Sequence, residues 1–194
     1  MARLLGVILA GGKGSRLGGT DKALIRLGNV SLIEHAIARL GPQVDALMIS
    51  ANGDASRFGV DFPVLADEAA MGPLSGVLAA LRFGARHGAD RVVSVAVDTP
   101  FFPLDLVARL SAAGGAAIAA SGGRVHPTFG IWPVTAEPAL RRALAEGRAK
   151  VLEFAAEVGA KVVEFEGVGD ADPFRNLNTP ADLARVGAEL AKPG

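Results

Sequence analysis

The sequence predicts a single α/β domain with a mostly parallel mixed sheet and helices on both of its faces. Three observations lead there. Short, almost continuously apolar runs such as Leu4–Leu9 and Arg91–Val97 read as strands buried on both sides. Helix-period segments separate such runs, giving the order β-α-β-α-β-α-β before a mixed remainder. No Pro/Gly/Ser-rich linker divides the 194 residues, a length that suits one domain over residues 1–194.

The elements follow in order. Leu4–Leu9 is the first strand. A helix over Ser31–Leu40 comes next: Ser31 and Glu34 have capping-box spacing, and Leu32, Ile33, Ala36, Ile37 and Leu40 share one face. Ala46–Ser50 is the second strand. Leu74, Val77, Leu78 and Leu81 recur at i, i+3, i+4 and i+7, which predicts a helix from about Pro73 to His87. After the third strand, Arg91–Val97, Pro103 fits the first turn of a helix through Ser111, with Leu104, Val107 and Leu110 inward. Ala116–Ala120 and Phe129–Trp132 read as strands, Ala136–Glu146 and Val151–Val158 as helices, and Lys161–Phe165 as a further strand. Thr179 caps a last helix with Pro180 in its first turn. Ligands of such sheets bind beyond the carboxyl ends of the strands, so the residues after Leu9, Ser50, Val97 and Phe165 are the places to look for a site.

Composition narrows the function. Twenty Lys+Arg balance 20 Asp+Glu, which excludes a domain-wide basic field and with it bulk nucleic-acid binding, though not a local anion site. The absence of cysteine excludes disulfides, thiol catalysis and Cys-zinc centres, and suits the cytoplasm, where the protein is expected. The apolar runs Leu4–Ala10 and Val92–Val97 fall far short of the roughly 18–20 residues of a membrane span. The run after Arg3 meets Gly-Gly-Lys rather than a small-residue cleavage site, so a strand is the better reading than a signal peptide. The 25 glycines are roughly twice the usual share, and their placement is informative.

Five of them crowd the connection after the first strand, Leu9-Ala10-Gly11-Gly12-Lys13-Gly14-Ser15-Arg16-Leu17-Gly18-Gly19-Thr20-Asp21-Lys22. Without Cβ atoms, backbone N–H groups can converge on an anion. Lys13, Arg16 and Lys22 add three cations against the single acid Asp21, a combination suited to a polyphosphate. Neither common phosphate motif fits. Gly12-Lys13 is followed by Gly14 rather than Ser or Thr, and after Gly12 and Gly14 the third Rossmann glycine position holds Leu17.

The loop is instead similar to the signature L-A-G-G-x-x-x-R-[ML]-G-x-x-K-x-L of nucleotidyltransferases that bind a nucleoside triphosphate, with Leu17 where Met is more frequent. Its Gly-Gly-x-Asp-Lys ending resembles the molybdenum cofactor guanylyltransferase branch. That resemblance implies a Rossmann-like three-layer sandwich of the nucleotide-diphospho-sugar transferase type. It implies transfer of GMP from GTP to molybdopterin with release of pyrophosphate, Mg²⁺ as cofactor, and partner proteins that deliver or accept the molybdenum cofactor.

Later segments extend the resemblance to nearly the whole chain. Val97-Asp98-Thr99-Pro100-Phe101 ends the third strand. Read alone, Asp98 is equally a turn residue; the family's Asp-x-Pro-Phe segment implies that it holds Mg²⁺, which uses one or two carboxylates plus phosphates and water. Asp67 precedes Gly72-Pro73-Leu74-Ser75-Gly76, and the family implies a nucleotide contact for Asp67, with Gly72 at the following helix start. In Ser50-Ala51-Asn52, either Ser50 or Asn52 is the nucleoside contact. His126-Pro127-Thr128-Phe129-Gly130-Ile131-Trp132 resembles the family's H-P-x-x-x-[LI]-W segment, and Phe174-Arg175-Asn176-Leu177-Asn178-Thr179-Pro180 its F-x-N-x-N-T-P segment. A lone histidine is more often structural and Asn178 is equally a turn residue; the resemblance places His126, Asn176 and Asn178 near the pterin. Asn178 lacks the charge of the acidic metal ligand found near this place in related sugar-phosphate nucleotidyltransferases, which leaves Asp98 as the carboxylate for the metal.

The expected chemistry needs no side-chain nucleophile, since positioning and charge neutralisation carry such transfers. Arg16, Lys22 and Asp98 are the expected catalytic residues. Leu9, Ala10, Gly11, Gly12, Lys13, Gly14, Ser15, Arg16 and Lys22, with Ser50 or Asn52, Asp67, Gly72 and Asp98, are the expected nucleotide contacts. Three alternatives stay open: a molybdopterin cytidylyltransferase, a sugar-phosphate nucleotidyltransferase, and a nucleotide-binding sensor without catalysis.

Overall fold

A computed structural model describes residues 3–11, 21–66, 71–167 and 172–190. Leu4–Leu9 forms β1, an inner strand whose last five residues are buried, which is why its sequence is apolar without alternation. Ala46–Ser50 (β4) and Arg91–Ala96 (β6) flank it in parallel, so that Val7 lies opposite both Met48 and Ser94. Val64–Leu65 (β5) extends the sheet beyond β4. On the other side come Arg124–Pro133 (β8), Ala117–Ser121 (β7) and Lys161–Glu164 (β9). The order is β5-β4-β1-β6-β8-β7-β9, and β8 runs antiparallel to both neighbours while every other pair is parallel. The mostly parallel mixed sheet is therefore present as expected.

Alternate residues of β1 serve two cores. Ile8 packs with Leu32–Leu40 (α1), Leu106–Ala112 (α3) and Pro180–Leu190 (α6). Leu5, Val7 and Leu9 pack with Pro73–Arg86 (α2), Glu137–Ala145 (α4) and Val151–Glu157 (α5). This is the three-layer arrangement. Among the described residues no helix is long and apolar enough to cross a membrane.

Local sequence accounts for the helix ends that bear on the site. Ser31 Oγ accepts from the Glu34 amide at 3.4 Å, and the Glu34 carboxylate accepts from the Ser31 amide at 2.6 Å, completing the capping box of α1. Thr179 Oγ1 accepts from the Asp182 amide at 3.1 Å while Asp182 Oδ2 accepts from the Thr179 amide at 2.9 Å, so α6 starts as expected.

Two expectations need correction. The helix after β6 starts at Leu106, with Asp105 rather than Pro103 at its entrance. Leu104 is 66% exposed, while Leu106, Val107 and Leu110 face the core. Phe102, ahead of Leu104 in the chain, is fully buried in the same core. The strand expected over Phe129–Trp132 is the ten-residue β8, joined to β7 through Gly122 and Gly123. Their φ angles of 54° and 77° allow a tight two-residue turn between Ser121 and Arg124 that other residues would adopt only with strain. The short β2–β3 hairpin, Arg26–Leu27 with Val30–Ser31, was not anticipated.

Candidate functional site

The carboxyl edge of the sheet gathers the site. Leu9 and Ala10 end β1 in buried positions, and the chain emerges at exposed Gly11. The Ala10 amide donates to the Ser50 carbonyl at 2.9 Å and the Val97 amide to the Leu9 carbonyl at 3.2 Å, so the exits of β4, β1 and β6 are fixed side by side. Gly12, Lys13, Gly14, Ser15 and Arg16 lie outside the described residues, as does Asp67.

The chain returns at Asp21, whose carboxylate accepts from the Ala23 amide at 3.0 Å and caps a 3-10 turn over Lys22–Leu24. That turn aims Lys22 across the sheet edge. Its ammonium donates to Asp98 Oδ2 at 2.8 Å and also to Asn178 Oδ1. Both side chains of the Lys22–Asp98 pair are mostly withdrawn from solvent, at 21% and 24% exposure. Asp98 is held in place through its backbone, because its carbonyl accepts from the Leu177 amide at 2.7 Å. Beside it, buried Thr99 donates to Asn176 Oδ1 at 2.5 Å. The DTPF and FRNLNTP segments are thus two halves of one structure. Asn176 and Asn178 meet Thr99 and Lys22, placing both at the carboxylate rather than at a separate end of the molecule.

Two oxygens of different residues, Asp98 Oδ2 and Asn178 Oδ1, converge on one cation. Such hard donors suit Mg²⁺. Among the described residues no group of three or more His, Cys, Asp or Glu could enclose a metal.

Ser50 is buried beneath α2, at 1% exposure, and Asn52 is exposed on the following loop. Gly76 lets the helix come so close. A Cβ there would lie 2.5 Å from Ser50 Oγ and 2.7 Å from Leu9 Cδ2. Gly72 precedes α2 with φ 79° and ψ −160°, a region essentially restricted to glycine, which lets the chain turn into the helix at this edge.

Arg57 was missed. Its Nε donates to Asp21 Oδ2 at 2.6 Å and its Nη2 to the Asn52 carbonyl at 2.8 Å, joining the exit of the glycine loop to the loop after β4. No local motif around Arg57 announces this, because its carboxylate partner is 36 residues away.

His126 is 7% exposed on β8. Its Nε2 lies 2.7 Å from Ser121 Oγ, and its ring stacks on Phe174 with centroids 4.6 Å apart. Burial pushes the imidazole below its ordinary value of 6.5, against the opposing pull of Asp172, with Arg124 adding to the lowering and Glu164 to the pull. Gly130 and Trp132 of the same motif are structural. A Cβ at Gly130 would sit 2.7 Å from the indole, whose Nε1 donates to Ser94 Oγ at 3.0 Å.

Residues 6–160 match the model of the MobA-like NTP transferase domain. The chain is 53% identical over 193 residues to a molybdenum cofactor guanylyltransferase of Cereibacter sphaeroides, covering 98% of each. It is 49% identical over 186 residues to the molybdenum cofactor guanylyltransferase of Acidiphilium cryptum, covering 94% of this chain and 93% of the other. The solved structure of molybdopterin-guanine dinucleotide biosynthesis protein A from Archaeoglobus fulgidus superposes with a TM-score of 0.77 at 24% identity, over 97% of this chain and all of the other (100%), a likeness of fold.

Proposed function

The chain belongs to the MobA-like NTP transferase family, and on that premise we propose that it transfers GMP from GTP to molybdopterin, releasing pyrophosphate. The observation that carries this reading is the meeting of Lys22, Asp98 and Asn178 at the carboxyl edge of the sheet, beside the strand that opens into the glycine loop. The phosphate of molybdopterin attacks the α-phosphorus of GTP in line. A new P–O bond forms there, and the bond from the α-phosphorus to the oxygen bridging it to the β-phosphate breaks. Pyrophosphate carries that electron pair away. An ionised phosphate needs no general base, and the protein's part is to place charge and hold geometry.

Lys13, Arg16 and the amides of the glycine loop neutralise the leaving pyrophosphate, and Lys22 holds the α-phosphate or the attacking phosphate. Ser50 or Asn52, Asp67 and the α2 entrance at Gly72 bound the nucleoside side. Asn176 and Asn178 border the pterin side. Asp98 and Asn178 are the residues that would hold Mg²⁺; what supports this is that their oxygens already share one cation. Bound Mg²⁺ supplies charge neutralisation at the phosphate oxygens. A cytoplasmic setting, with proteins that deliver the molybdenum cofactor or accept the dinucleotide, belongs to the same reading.

The test is pyrophosphate release with molybdopterin, Mg²⁺ and each of GTP, CTP, ATP and UTP in turn, with the pterin product identified by mass. GTP should be strongly preferred and a guanine dinucleotide should form. Preference for CTP would make the protein a cytidylyltransferase, and no pyrophosphate with any nucleotide would make it a binding protein. Asp98→Asn should lower turnover at least about a hundredfold with the fold intact; near-normal rates would remove Asp98 from the reaction.

A further inference from the structure

A chain of contacts runs from His126 to Asp98 and Lys22. Ser121 Oγ donates to Asp172 Oδ1 at 2.8 Å. The same hydroxyl therefore accepts from His126 at 2.7 Å, which puts the imidazole proton on Nε2. Asp172 Oδ1 also accepts from the Phe174 amide at 2.8 Å. The Phe174 ring is then enclosed by His126 at 4.6 Å, Phe129 at 4.9 Å and Phe165 at 5.4 Å between centroids. Two residues further on, the arm touches the site at three successive positions. Asn176 accepts from Thr99, the Leu177 amide donates to the Asp98 carbonyl, and Asn178 accepts from Lys22.

We infer that His126 is a positioning residue for the arm 172–178. With Ser121 and Asp172 it forms a latch that clamps one end of the arm to the β7–β8 hairpin, so that the other end arrives at Asp98 and Lys22 in register. Three features separate this from ordinary core packing. The imidazole is engaged twice, its Nε2 on Ser121 of β7 and its face on Phe174 of the arm. The polar relay is complete, with a donor and an acceptor for each hydrogen named above. Both partners in the hairpin are buried, His126 and Ser121 each at 7% exposure, so water does not replace a lost bond easily. The arm ends at Thr99, Asp98 and Lys22, where the reacting phosphates are placed in the proposed transfer, so loss of the latch falls on turnover more than on the affinity for GTP.

The inference rests on the proposed GMP transfer for its kinetic consequence but not for its structural one, and the experiment reads both. His126→Phe keeps the ring on Phe174 and removes the donor. Ser121→Ala breaks the relay with little change of volume and serves where the first variant fails to fold. His126→Gln returns an N–H donor. Amide hydrogen exchange within residues 174–178, the Leu177 amide above all, should speed up about tenfold or more in the first two variants, with β8 amides such as Ile131 unchanged, and should return toward wild type in His126→Gln. In steady-state assays the first two variants should lose about ten- to a hundredfold in kcat, with KM for GTP within about twofold of wild type. Faster exchange in an enzyme that transfers no GMP supports the latch while overturning the proposed reaction. Unchanged exchange over 174–178, or loss spread evenly through β7 and β8, overturns the latch.

Discussion

If Mg²⁺ binds as proposed, it and Lys22 compete for the same two oxygens. With its ammonium 2.8 Å from Asp98 Oδ2 and also on Asn178 Oδ1, Lys22 neutralises the carboxylate. On the proposed reading, triphosphate would give the lysine other oxygens to hold and free Asp98 for Mg²⁺, so that the nucleotide would bind before, or together with, the metal. Lys22→Met tests this at the level of one residue. Without nucleotide, the variant should bind Mn²⁺, followed by electron paramagnetic resonance, about five- to tenfold more tightly than wild type. That corresponds to the roughly 1 kcal/mol of a partly buried ion pair. Its transfer rate should nevertheless fall. Equal Mn²⁺ affinity in the two proteins would mean that the lysine does not occupy the metal's place.

At the scale of elements, α2 is set by a single close approach. Its helix pattern was plain in the sequence because Leu74, Val77, Leu78 and Leu81 carry the period themselves. The reason for Gly76 was not, because it depends on Leu9 and Ser50, which approach it only in the fold. Gly76→Ala gains about 1 kcal/mol in helix propensity and meets overpacking of about 1–3 kcal/mol against Ser50 Oγ and Leu9 Cδ2. Overpacking wins, since both neighbours are buried, and a melting curve should show Tm lower by about 2–6 °C; a rise would show that the helix moves away at no cost. The same distinction explains the other readings. The capping box of α1 and the Thr179 start of α6 were legible because their partners lie three residues apart. The start of α3 was not, because Leu104 and Leu106 are equally apolar and only the fold shows that Leu106 is buried and Leu104 exposed. The contact of Asn178 with Lys22 spans 156 residues, and no spacing in a single sequence encodes it.

Over the whole molecule, two cores on either side of one sheet leave the polar groups of the site at an edge, where DTPF and FRNLNTP meet. Two histidines nevertheless sit within the packed layers, and they set how the fold responds to acid. His35, on α1, has a buried Nε2 without a hydrogen-bond partner among the described residues, and burial followed by the charge of Arg39 pushes it below 6.5 despite Glu34. His126, buried on β8, is lowered for the same first reason. The unfolded chain, with both histidines near 6.5, binds more protons than the folded one between the folded and unfolded values. Stability therefore rises with pH in that window. The contribution is complete above about pH 6.5 and is lost progressively as the pH falls toward and through the folded values. Further acidification adds the loss of carboxylates held below their ordinary range, such as Glu34 by its hydrogen bonds from Ser31. Thermal melts from pH 8 to pH 5 should show a level Tm down to near 6.5 and then a decline that starts before any carboxylate titrates. His35→Gln should weaken the first part of that decline and leave the carboxylate part in place. A Tm independent of pH between 7.5 and 5.5 would show that neither imidazole is held neutral by the fold.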